Sequence, residues 1–181
     1  MQDLCANHPL RRLFRGLVED AFYSQVGMGD PELTEYLADL LVAFSHMDRL
    51  HAIRNASGKR LDQIVSMLAV LHGDQTSGLT DRNRTMYQHI GDYTLFWAGV
   101  YPEQLKRACR DRSDVLLDYV SQGKRCYAMV STLSGEHDQP PPRLFRHLSD
   151  DFEFCVYGLG LVRRGWEQTQ VAPDRPGELL L

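Results

Sequence analysis

His89-Ile90-Gly91-Asp92-Tyr93 is the stretch of this chain whose residue types come closest to chemistry. It places an imidazole, a carboxylate and a phenol within little more than one helical turn. His89 and Asp92 are three apart, a spacing that puts both on one helix face. A carboxylate among aromatic residues must be paired or hydrogen-bonded, because burying it alone is costly. Two roles follow for Asp92. It locks helices together by accepting from an Arg or Tyr on a neighbour, or it faces a ligand pocket with His89 and Tyr93. Those three residues are the candidate ligand-binding set.

Other chemistry-bearing residues give weaker signals. Asp48 and His51 also sit three apart, while His46 and His51 are five apart and share a helix face poorly. Helical di-metal sites use Glu-x-x-His pairs with further inward glutamates, and no Glu-x-x-His occurs here. Cys5, Cys109, Cys126 and Cys155 show no metal-ligand spacing and read as free thiols, the last three as small buried hydrophobes. The loop His72-Gly73-Asp74 to Thr76-Ser77-Gly78 lacks the spacing of phosphate-cradling motifs. GxSxG is absent. Arg11-Arg12, Arg82 with Arg84, and Arg163-Arg164 read as solvated helix faces, with anion or acidic-partner contacts as the alternative. The sequence therefore predicts no catalytic residue, no metal and no cofactor.

The elements that must position these residues are helices throughout. Leu10, Leu13, Phe14, Leu17, Val18, Ala21 and Phe22 recur at three- and four-residue steps, which predicts a helix from near His8 or Pro9 to the Gly27-Met28-Gly29 stop. Asp30-Pro31-Glu32 starts a second helix reaching about Ile53. A third is expected over Arg60–His72, after a turn at Arg54–Lys59. Thr80 and Asp81 open a fourth helix, which carries the aromatic stretch Met86–Glu103. Pro102-Glu103 opens a short helix with Leu105, Ala108 and Cys109 inside. Ser113-Asp114 caps another, with a heptad-like seam at Leu116, Val120, Gly123, Tyr127 and Val130. The three prolines 140–142 break the chain. A last helix is predicted on the seam Phe145, Leu148, Phe152, Cys155, Leu159, Val162 and Trp166. Gly91 and Gly123 fall where close helix contact is expected. No alternating strand pattern occurs. The prediction is an all-α, single-domain bundle of six to seven helices, mostly antiparallel, over residues 1–170, with a non-helical tail over 171–181.

Ile90-Gly91-Asp92-x-x-Leu95-Phe96-x-x-Gly99-x-x-Pro102-Glu103, followed by Tyr119-x-x-x-Gly123-x-x-x-Tyr127, resembles a pattern found in a group of all-helical bacterial proteins with no established activity. The resemblance covers about residues 86 to 133. It implies a bacterial helical domain and no catalytic residue.

Composition narrows the function classes. With 43% hydrophobic and 24% charged residues over 181 positions, the chain can bury a core without metals or disulfides. A net charge of −4 argues against nucleic-acid binding and electrostatic membrane anchoring. The N-terminus MQDLCANHPLRR has no apolar signal region, and no run reaches membrane-spanning length. A cytoplasmic location is expected. The leading expectation is a helical protein–protein interaction or regulatory module, as a homodimer or with another protein. The alternative is a bundle with a small-molecule or metal pocket near His89 and Asp92, enzymes included.

Overall fold

A computed structural model describes residues 9–51, 81–103, 114–135 and 137–171. The helix expected over 60–72, the turn and loop flanking it, Thr80, most of the short helix after Pro102, and the tail beyond Val171 lie outside these residues. The described residues form six α-helices and one π-helical segment. We label the helices α1 (Pro9–Glu19), α2 (Pro31–His51), α3 (Asp81–Val100), α4 (Asp114–Leu133), α5 (Pro142–Asp150) and α6 (Phe152–Val171). The fold is all-α.

Local chemistry accounts for the boundaries. α1 runs into the π-helical segment Asp20–Val26. Gly27 closes it in the left-handed conformation, φ 78°, the C-cap geometry that glycine adopts without steric cost. Asp30 Oδ1 accepts from the backbone N–H groups of Glu32 (2.9 Å) and Leu33 (3.3 Å), satisfying two otherwise orphaned donors of α2. Pro141 is extended and Pro142 opens α5, so the proline run ends as a helix start.

The single last helix expected from the sequence is two helices. The seam is buried as expected from Phe145 to Val162, but the helix breaks at Asp151, whose φ of −105° and ψ of 27° are not helical. No glycine or proline marks the spot. Asp151 ends α5 by donating its N–H to the His147 carbonyl, and it begins α6 by accepting from Cys155 N–H. Aspartate favours such a boundary, since its short carboxylate competes for local donors.

Contacts along the helices run in opposite orders, which fixes antiparallel pairs. Arg84, Gly91 and Thr94 of α3 meet Ser134, Tyr127 and Gly123 of α4 respectively. Phe14, Leu17 and Phe22 meet Trp166, Gly165 and Gly158 of α6. α3 sits at the centre, packed on α4 and α6 and touching α2. From Thr94 to Val100 every residue of α3 is buried, so this half is covered on all sides. The sequence-predicted close contacts at glycines are present. A Cβ on Gly91 would stand 2.8 Å from the Tyr127 ring, and one on Gly123 would stand 2.5 Å from Phe152. Each fully buried aromatic in these contacts contributes about 2–3 kcal/mol by leaving water.

Candidate functional site

Asp92 is held by two tyrosines from two different helices. Tyr36 of α2 donates its hydroxyl to Asp92 Oδ1 at 2.5 Å, and Tyr127 of α4 donates to the same oxygen at 2.8 Å. Gln88, one turn before Asp92, donates Nε2 to the Tyr36 hydroxyl at 3.1 Å. Gly91 makes this possible, because only a residue without a side chain lets the Tyr127 ring lie on α3. Phe145 of α5 closes the cluster, edge-on to Tyr36 at 5.7 Å and tilted against Tyr127 at 6.0 Å. Among the described residues, Asp92 thus meets phenols and not a cation.

The electrostatics follow from burial. Solvent still reaches part of the Asp92 residue, but its carboxylate is surrounded by protein. Burial raises its pKa from 3.8 to about 6, and the hydrogen bonds from Tyr36 and Tyr127 pull the other way. Burial also drives both phenols well above their ordinary value, reinforced by the neighbouring Asp92 charge. Both tyrosines therefore stay neutral donors, and the proton that comes and goes near neutral pH belongs to Asp92.

The other two sequence-predicted site residues lie elsewhere. His89 lies on the outer side of α3, where the neighbouring protein still takes enough water from its ring to lower its pKa. Tyr93 turns into an aromatic cluster, 6.1 Å from Phe44 and 6.0 Å from Trp97. In that cluster Phe44 stacks on Phe96 at 4.6 Å, and Tyr101 packs on Trp97 at 5.5 Å. Asp92 and Tyr93, adjacent in sequence, face different neighbours.

Three of the arginines expected on solvated faces are instead paired. Arg84 donates to Ser134 Oγ at 2.7 Å, and its guanidinium lies over the Phe145 ring at 5.9 Å. Arg163 donates to the Val100 carbonyl and to Glu103, both at 2.7 Å, and lies 5.0 Å from the centre of the Tyr101 ring. A cation on the last carbonyls of α3 complements the helix dipole. Arg11 likewise pairs with Asp39 at 2.6 Å.

A second polar cluster escapes sequence reasoning. His147 of α5 places Nδ1 2.8 Å from Asp30 Oδ2 and Nε2 3.1 Å from Asp151 Oδ2. These groups line a cleft of about 440 Å³ whose other walls include Val26, Met28 and Phe154. His147 and Asp151 are four apart on one helix face, a readable signal. Asp30 is 117 positions from His147 and reads only as a cap. Nδ1 is hydrogen-bonded to Asp30, and Nε2 lies within ion-pair distance of Asp151. Among the described residues, no group of three or more His, Cys, Asp or Glu side chains is arranged to hold a metal ion. No helix there is long and apolar enough to cross a membrane.

No protein-family model, curated protein or solved structure matches this chain.

Proposed function

We propose that the protein is a helical interaction module that self-associates as a homodimer through the outer face of α6. The observation that carries this reading is the exposure of Phe154 and Tyr157, 57% and 55% accessible and three residues apart. Leu161, half-buried against the core, lies beside them, and exposed Arg164 and Gln168 follow on the same face. Single exposed apolar residues are ordinary, but a contiguous aromatic stripe bounded by polar side chains is the surface of a partner contact. The stripe is self-complementary when two copies pair antiparallel. Tyr157 of each copy then meets Arg164 of the other, a cation–π contact. The free thiols Cys126 and Cys155 fit a reducing cytoplasm.

Sedimentation velocity at micromolar protein tests the reading. The unmodified chain is expected to run as a dimer. The Phe154→Ala, Tyr157→Ala double variant is expected to run as a monomer with unchanged helical circular dichroism. An unmodified chain that runs as a monomer removes the proposal.

A further inference from the structure

We propose that Asp92 is a proton-operated latch between α2 and the α3–α4 pair, and that Tyr36 is the side chain that lets go when the carboxylate ionises. The proposal concerns the interior of the bundle and does not rest on self-association.

The two phenols on Asp92 Oδ1 are not equally held. The Tyr127 ring is fully buried on the bare backbone of Gly91, with Phe145 and Phe152 each 6.0 Å away. It cannot leave without parting α3 from α4. Tyr36 is half-buried, meets Phe145 edge-on at 5.7 Å, and accepts from Gln88 at its hydroxyl. Solvent touches part of Tyr36 and part of Asp92 but none of Tyr127. Water therefore reaches the carboxylate from the Tyr36 side, and a rotation of that one side chain admits it while the α2 backbone stays in place.

The surroundings give the ionised carboxylate no counter-charge. Among the described residues, α2 faces it with the Tyr36 phenol, α4 with the Tyr127 phenol, and α5 with the uncharged Phe145 ring against both. From α6, the buried Cys155 thiol lies within electrostatic reach of Tyr127. On α3, lost hydration lowers the pKa of His89 from 6.5, and Arg84 is committed to Ser134 and the Phe145 ring. Burial thus outweighs the two phenol hydrogen bonds and disfavours the charge. When Tyr36 swings out, water replaces its hydroxyl as donor and relieves the burial. The open form holds its proton less tightly than the closed form, so rising pH favours opening. Between the ordinary carboxylate value and about 6, the open-to-closed ratio climbs by up to about a hundredfold. Opening breaks the hydrogen bond from α2 to α3, while Tyr127 keeps α3 tied to α4.

The test is exchange of the tyrosine hydroxyl protons with water in the full chain, with the tyrosine ring carbons isotope-labelled and read by NMR at about pH 4.5 and about pH 7. Base catalysis speeds both hydroxyls alike, so the readout is the ratio of Tyr36 exchange to Tyr127 exchange. That ratio is expected to rise about tenfold or more with pH in the unmodified chain. It is expected to stay flat in Asp92→Asn, which keeps an acceptor oxygen and does not titrate. Equal rises at both hydroxyls mean that the whole cluster opens together, and they overturn the proposal. So does a ratio that falls with pH, or one that rises as much in Asp92→Asn. The comparison of two hydroxyls within one chain decides the matter even where the variant does not fold.

Discussion

The ring of Tyr127 rests on the bare backbone of Gly91, so close that a methyl group there would stand 2.8 Å from Cε1 and 2.9 Å from Cδ1. Real carbon contacts do not come that near. Tyr127 is fully buried, between Phe145 and Phe152, and has little room to retreat. Gly91→Ala is therefore expected to destabilise the fold, although alanine favours a helix by about 1 kcal/mol. Overpacking costs about 1–3 kcal/mol, leaving a net loss of up to about 2 kcal/mol. Gly16 is the control, because a Cβ there meets nothing within 4 Å. Gly16→Ala should be neutral or stabilising. Urea unfolding of the two variants checks both signs.

Asp92 gives the fold a pH dependence of predictable sign. Its folded pKa of about 6 lies above the ordinary 3.8, so between those values the folded chain holds a proton that the unfolded chain has released. Stability then falls as pH rises through this window and levels off above about 6. A shift of this size is worth roughly 3 kcal/mol across the window. Asp92→Asn removes the titration and keeps an acceptor oxygen. The stability difference between the two proteins, measured by urea unfolding from about pH 4 to about pH 7, should move in the variant's favour as pH rises. Parallel profiles would show that the carboxylate is better hydrated than its packing indicates.

The two phenols hold that pKa down, so removing one should raise it. Tyr127→Phe deletes a donor to a charged oxygen, which costs about 1.5–3 kcal/mol where Asp92 is ionised and less where it is protonated. The window of falling stability still opens at the unfolded carboxylate's pKa, but it extends to higher pH. Carboxyl carbon shifts of Asp92, followed by NMR through the titration, report the move directly. Tyr36→Phe should act in the same direction and also leave Gln88 Nε2 without its acceptor.

Much of this architecture was legible in the sequence, for local reasons. The Asp30-Pro31 start, the Gly27 stop and the seam from Phe145 to Val162 each depend on neighbours within a few residues. The glycines at 91 and 123 were readable as contact points because their helix cost requires compensation. What was not legible depends on distant partners or on close competition. The break at Asp151 leaves the apolar seam in phase on both sides, so periodicity does not register it. The π-helical segment after Glu19 turns on small differences between alternative backbone bonds. Arg84 and Arg163 looked solvated because their acceptors, Ser134 and the Val100 carbonyl, lie 50 and 63 positions away. The Asp30–His147 contact is hidden for the same reason. For Asp92, an arginine or tyrosine partner was anticipated, but not two tyrosines on one oxygen.

The buried thiols should be silent in the folded protein. Burial pushes Cys126 and Cys155 up to about 12, leaving almost no thiolate at neutral pH. Alkylation with N-ethylmaleimide followed by peptide mapping should leave both unmodified until denaturant is added. Rapid native labelling of either one would mean that α4 or α6 opens locally.

Three helices meet on Asp92 Oδ1, one carrying it and two donating to it. Helices packed only by apolar side chains can roll about their axes at modest cost. Here a roll of one residue, about 100°, would swing a hydroxyl off the shared atom. The angular phases of α2, α3 and α4 are therefore set together.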